Sequence, residues 1–158
     1  MHPLYSYPTN KNAGFTLIEV LVAMVVLAVG LLGMAGLQAN SIRNNQSAYN
    51  RSQATQLAYD LADRMRANIS GVATYTSGTA AAIANCKITA GCSPAEMATN
   101  DLFEWNSAIS AALPNGGTGT ITVTSTGEHS ITISWTENRD DNTDGVSDIT
   151  SFQTSFRL

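Results

Sequence analysis

The chain has 158 residues and a mass of 16.7 kDa, which suits one domain of ordinary size with an appendage. Only 13% of residues are charged, about half the usual ~25%, while Ser, Thr and Asn supply 46 of them. A net charge of −4 leaves no basic surface for a phosphate backbone, so no nucleic-acid partner is expected; 44% hydrophobic content argues against a disordered chain.

The charge is also unevenly spread. Between Lys11 and Arg43 lie 31 residues whose one charged side chain is Glu19. From Phe15 to Leu37 they read FTLIEVLVAMVVLAVGLLGMAGL, 23 residues without proline. As a helix this stretch is long enough to cross a bilayer core of about 30 Å. A secretory signal peptide cut near Gly33-Met34-Ala35, a plain membrane anchor, and a span that later packs against copies of itself all fit that length. Glu19 separates them. A carboxylate in a hydrophobic span costs a few kcal/mol, about 2.5 or more at its centre, so such acids are usually paired and functional. Gly14 stands immediately ahead of the run. Cleavage after it would leave a cationic α-amino group on Phe15, one helical turn from Glu19. That amine, from the same chain or a neighbour, would neutralise the acid.

The order Gly14-Phe15-Thr16-Leu17-Ile18-Glu19, followed by an apolar helix, resembles the type III signal of type IV pilins and type II secretion pseudopilins. The resemblance implies a leader of residues 1–14, removed by the prepilin peptidase on the cytoplasmic side. It also implies N-methylation of Phe15 and a docking role for Glu19. Three further blocks are similar to the minor pilin family PilV, the pilus modification proteins: GLLGMAGLQ (30–38), LAYDLADRMRAN (57–68) and CSPAEMA (92–98) with Trp105 after it. By that resemblance the chain is a minor pilin subunit acting in pilus assembly, in its initiation or in a tip complex. Its partners would be other minor pilins, the major pilin, the inner-membrane assembly platform and the prepilin peptidase. It would sit in the bacterial inner membrane with the leader cytoplasmic and the head periplasmic, then pass to the pilus or cell surface, with twitching motility as one output. A minor pseudopilin of type II secretion shares the N-terminal half, and a pilin-anchored surface adhesin is a further alternative.

Two features stand apart from the pattern. The leader holds one basic residue, Lys11, while Arg43 and Arg51 follow the span, so charge orients it weakly. Gly30, Gly33 and Gly36 occupy the region where many major pilins carry a kinking proline. Glycines either loosen a helix or permit close helix contact.

Residues 38–70 read as an amphipathic continuation of the helix, with Ala54, Leu57, Ala58, Leu61, Met65 and Ile69 in one stripe. Residues 71–158 form the globular head. Gly71–Ala84 is small, polar and turn-rich, and reads as a surface loop. Cys86 and Cys92 are the only cysteines, and in an exported domain so close a pair is most simply a disulfide. Ser93-Pro94-Ala95-Glu96 has the form of a capped helix start, followed by Leu102, Trp105, Ile109 and Ala112 at helical spacing and stopped at Pro114 to Gly117. The period then becomes two. Ile121 with Val123, Ile131 with Ile133 and Trp135, and Phe152 with Phe156 mark three antiparallel strands with one apolar face. The 54–69 stripe is the natural cover for that face. The expected fold class is α+β, a pilin-like fold with a long N-terminal helix on a small antiparallel sheet.

The connection before the last strand places Asp140, Asn142, Asp144 and Asp148 at positions one, three, five and nine, with Gly145 at six. That spacing matches the first part of a calcium loop, but Ser151 stands where the bidentate Glu belongs. The same residue types also build ordinary hairpin loops. No other cofactor is expected. Catalysis is not expected either: His129 is the one histidine outside the leader, and neither a phosphate-binding glycine loop nor an HExxH motif occurs.

Overall fold

A computed structural model of the chain describes residues 14–137 and 148–158. The order of elements is helix α1 (Leu17–Ala67), a 3-10 turn (Ile69–Gly71), helix α2 (Val72–Ser77), a second 3-10 turn (Ala84–Lys87), helix α3 (Pro94–Ala112), and strands β1 (Thr118–Val123), β2 (His129–Thr136) and β3 (Ile149–Phe156). By its contacts the chain divides into two units, Met1–Arg43 and Asn44–Leu158. Among the described residues the first holds residues 14–16 and the N-terminal part of α1. The second holds the rest of α1 and every other element.

In the second unit α1 turns one face to the interior: Asn50, Ala54, Ala58, Leu61, Ala62 and Met65 are buried. Alanines at 54, 58 and 62 hold helix propensity while letting neighbouring elements approach closely. They join Leu102, Trp105 and Ile109 of α3 and Ile131, Ile133 and Trp135 of β2 in one core. Each fully buried large aliphatic side chain stabilises the fold by about 1.5–3 kcal/mol. The indole Nε1 of Trp105 donates to the Leu57 carbonyl at 3.0 Å, tying α3 to α1. The Ser93 cap is formed as its sequence predicts: its hydroxyl accepts from the Glu96 amide while a Glu96 oxygen accepts from the Ser93 amide at 2.8 Å.

The sheet has the order β1-β2-β3, with both pairings antiparallel. Its inner face carries Ile131, Ile133 and Trp135 with Phe152 and Phe156 alongside. Trp105 packs closely against β1 because residue 119 is glycine: a Cβ there would stand 2.2 Å from the indole ring. On the outer face the registers align three rows, Thr118–Ser134–Ser151, Thr120–Thr132–Gln153 and Thr122–Ser130–Ser155. Eight hydroxyls and one amide fill these three rows, with no charge among them, and the pair Thr136–Ile149 continues the same face.

The expected α+β architecture is present, with three local corrections. The buried stripe of α1 ends at Met65; Ile69 lies past the helix in the 3-10 turn and is 62% exposed, while Ala62 takes the interior position. Gly71–Ala84 is not all loop. It contains α2, whose Tyr75 is buried, and Gly71 itself is buried where a Cβ would meet the Pro94 carbonyl oxygen at 2.3 Å. The strands are also longer than their apolar markers, because Thr118, Gly119 and Thr154 pair without contributing an apolar side chain.

Candidate processing and assembly site

Helix α1 begins one residue after Thr16. Its first turn is built by Thr16, whose carbonyl accepts from the Glu19 amide at 3.1 Å and from the Val20 amide at 3.3 Å. The Thr16 hydroxyl faces the same Glu19 amide at 3.4 Å, a long contact in the position of an N-cap. Thr16 and Glu19 thus have the spacing of a capping box, and the carboxylate sits where the helix dipole favours negative charge. No sequence reading singled out Thr16, although Thr-x-x-Glu was visible as such a signal.

Phe15 and Glu19 are one turn apart and, with Val20, Ala23, Met24 and Leu27, line one shallow groove along the helix. Phe15 is 83% exposed. Gly14 has open space where a side chain would be. Among the described residues the Glu19 carboxylate has no ion-pair or hydrogen-bond partner, so this acid stands on an apolar surface open to an external cation. The helix is long and apolar enough to cross a membrane, with a mean hydropathy of 2.7 in its most apolar window, none of it buried within the chain.

The second unit holds a separate charged cluster. Arg64 pairs with Asp60 at 2.9 Å, Asp101 at 2.9 Å and Glu104 at 3.0 Å, and Lys87 reaches Glu104 at 2.9 Å. The Tyr75 hydroxyl donates to Asp101. Lys87 and Arg64 hold the Glu104 carboxyl down to about 2, and burial together with Asp101 pushes the Tyr75 phenol well above its ordinary range. Partial burial opposes the charge of Arg64, but Glu104, Asp101 and Asp60 outweigh it and keep the guanidinium firmly protonated. The Asp60–Arg64 spacing was legible in the sequence; Asp101 and Glu104, on another helix, were not. These groups fasten α1, α2 and α3 together.

Cys86 and Cys92 are joined in a disulfide. Lys87 lies inside the loop they close, so its bridge to Glu104 fixes that loop to α3. Of the candidate calcium ligands, Asp140, Asn142 and Asp144 lie outside the described residues; the Asp148 carbonyl accepts from the Glu137 amide at 3.0 Å. Among the described residues no group of three or more His, Cys, Asp or Glu is placed to hold a metal ion.

Comparison with known families gives two matches on adjoining segments. Residues 9–35 match the prokaryotic N-terminal methylation motif, and residues 36–103 match the family described as Type IV pilin Tt1218. No match is found among curated proteins or solved structures. The first segment contains Gly14, Phe15 and Glu19, and its motif with the apolar helix fits a pilin anchored in the inner membrane. The second segment covers the buried stripe of α1, the disulfide and the start of α3. A methylation motif thus runs directly into a segment that matches a type IV pilin family, whose members are structural subunits rather than enzymes.

Proposed function

We propose that the chain is a minor pilin of the PilV type, cut between Gly14 and Phe15, N-methylated on Phe15, and recruited into a type IV pilus or its initiating complex through Glu19. The observation that carries this reading is the pairing of Phe15 and Glu19 on one groove of an apolar helix, with no partner for the acid among the described residues. An unpaired carboxylate in lipid is costly, and the α-amino group of a neighbouring processed subunit is a cation at the right depth to relieve that cost. The apolar span holds the subunit in the inner membrane until it is extracted into the fibre. Similarity of residues 57–68 and 92–98 to pilus modification proteins supports the minor rather than the major role. The partners then follow: other minor pilins, the major pilin, the inner-membrane assembly platform and the prepilin peptidase.

Glu19→Ala tests the docking role. Cleavage, read as loss of the leader by mass spectrometry, is expected to proceed nearly normally. Incorporation into sheared filaments is expected to fall by tenfold or more. Wild-type incorporation of Glu19→Ala would overturn the role given to this acid. Gly14→Val is the companion variant, expected to retain the leader and accumulate in the membrane.

A further inference from the structure

Gly14 and Phe15 stand outside helix α1, which begins at Leu17. An α-helix that reached back over them would bond the Glu19 amide to the Phe15 carbonyl, four residues earlier. That amide turns to Thr16 instead. It donates to the Thr16 carbonyl at 3.1 Å and faces the Thr16 hydroxyl at 3.4 Å. The Val20 amide closes the first full turn on the same carbonyl, at 3.3 Å. Among the described residues neither the Gly14 nor the Phe15 carbonyl accepts a backbone bond. The regular helix therefore stops at Thr16, one residue after the Gly14–Phe15 peptide. What lies ahead is open: Phe15 is 83% exposed, and a Cβ at Gly14 would meet nothing within 4 Å.

Such a stop has to be built in. In hydrocarbon every backbone group must be bonded internally, so an apolar span is driven to be helical along its whole length. Two residue types oppose that drive here. The side-chain oxygen of Thr can stand in for a helical carbonyl, which suits it to a cap and makes it a poor occupant of a helix interior. Gly14 is of the weakest helix-forming type after proline and resists extension from the other side. Phe15 lies between them.

The position of the stop matters because a peptide bond within a helix is a poor substrate for a peptidase. Peptide-binding clefts commonly take up an extended chain through its N–H and C=O groups, which a helix has already used. We infer that Thr16 is a positioning residue for leader removal: by capping α1 it keeps the Gly14–Phe15 bond out of the helix and within reach of the peptidase. The inference rests on the reading of that bond as the processing site and adds a residue that controls it. The cap draws on the backbone amide of Glu19 and not on its carboxylate. The acid is thereby left for another partner, and its removal should spare cleavage.

The test uses the full precursor in membrane vesicles that contain a prepilin peptidase. Thr16→Ala removes the capping oxygen and puts the best helix former in its place, so α1 should run back over Phe15. The initial rate of leader loss, followed by mass spectrometry, is expected to fall about threefold or more, the scale of one lost cap. Thr16→Ser keeps a capping oxygen and is expected to be cut at the wild-type rate. The Cα chemical shift of Phe15, measured by NMR in micelles, reads the helix boundary itself. It should move toward the helical value in Thr16→Ala and stay in place in Thr16→Ser. Wild-type cleavage of Thr16→Ala, or equal slowing of both variants, would overturn the role given to Thr16. So would slowing without a change in the Phe15 shift, which would mean that the peptidase reads the threonine side chain directly. A wild-type precursor that keeps its leader while a reference prepilin is cut in the same vesicles would overturn the processing reading, and the role of Thr16 with it.

Discussion

Glu104 shows how one side chain comes to join three elements. It lies on α3, accepts from Lys87 of the disulfide loop and Arg64 of α1, and receives a third bond from Asn100 at 3.2 Å. Its folded carboxyl titrates near 2 rather than at the ordinary 4.5. A carboxyl depressed in this way stabilises the fold fully above its unfolded value and loses that contribution as pH falls through the folded one. Stability is therefore expected to decline between pH 4.5 and about 2. With a third of the side chain exposed, solvent screening reduces the contribution to about 1–2 kcal/mol. Thermal melts of wild type and Glu104→Gln across that window should converge at the acid end; a constant gap would assign the difference to packing instead. None of this was readable from spacing, because Arg64 and Glu104 are 40 positions apart.

At the scale of elements, legibility followed periodicity. α3 carried a capping box, an early proline and an apolar row at helical spacing, and all three appear in the structure. The strands alternated clearly where Ile and Trp marked the inner face, and less clearly where Thr or Gly did. α2 was missed because six residues hold too few apolar positions to show a period; its one anchor, Tyr75, is recognisable only through Asp101 and the core beside it. The exposed position of Ile69 reflects the turn at Asn68–Gly71, where Gly71 lets the chain pass against Pro94. The Cys86–Cys92 loop gives an element-scale expectation. Closing so short a loop stabilises the fold by roughly 2 kcal/mol on the chain-entropy account. Cys86→Ser with Cys92→Ser should lower the melting temperature by several degrees in an otherwise folded chain, measured by calorimetry; an unchanged melt would show that the Lys87–Glu104 bridge alone holds the loop.

Across the whole molecule the sequence divided most plainly by charge, and the structure divides at Arg43, where that charge resumes. Asn44–Leu158 keeps the core and the ion-pair cluster within one unit. A chain beginning at Asn44 is expected to be soluble without detergent and to melt cooperatively; aggregation or a broad, non-cooperative melt would mean that the first unit is needed for folding. Among the described residues the charged groups of this unit lie on its helices, in its turns and at strand ends, leaving the outer rows of the sheet to Ser, Thr and Gln. In colloidal terms those rows add no fixed charge of their own to the electrical double layer. The approach of two surfaces across them should depend less on salt than approach between charged surfaces. Whatever keeps such faces apart is bound water, so bundling through them would answer to osmolytes and drying rather than to salt.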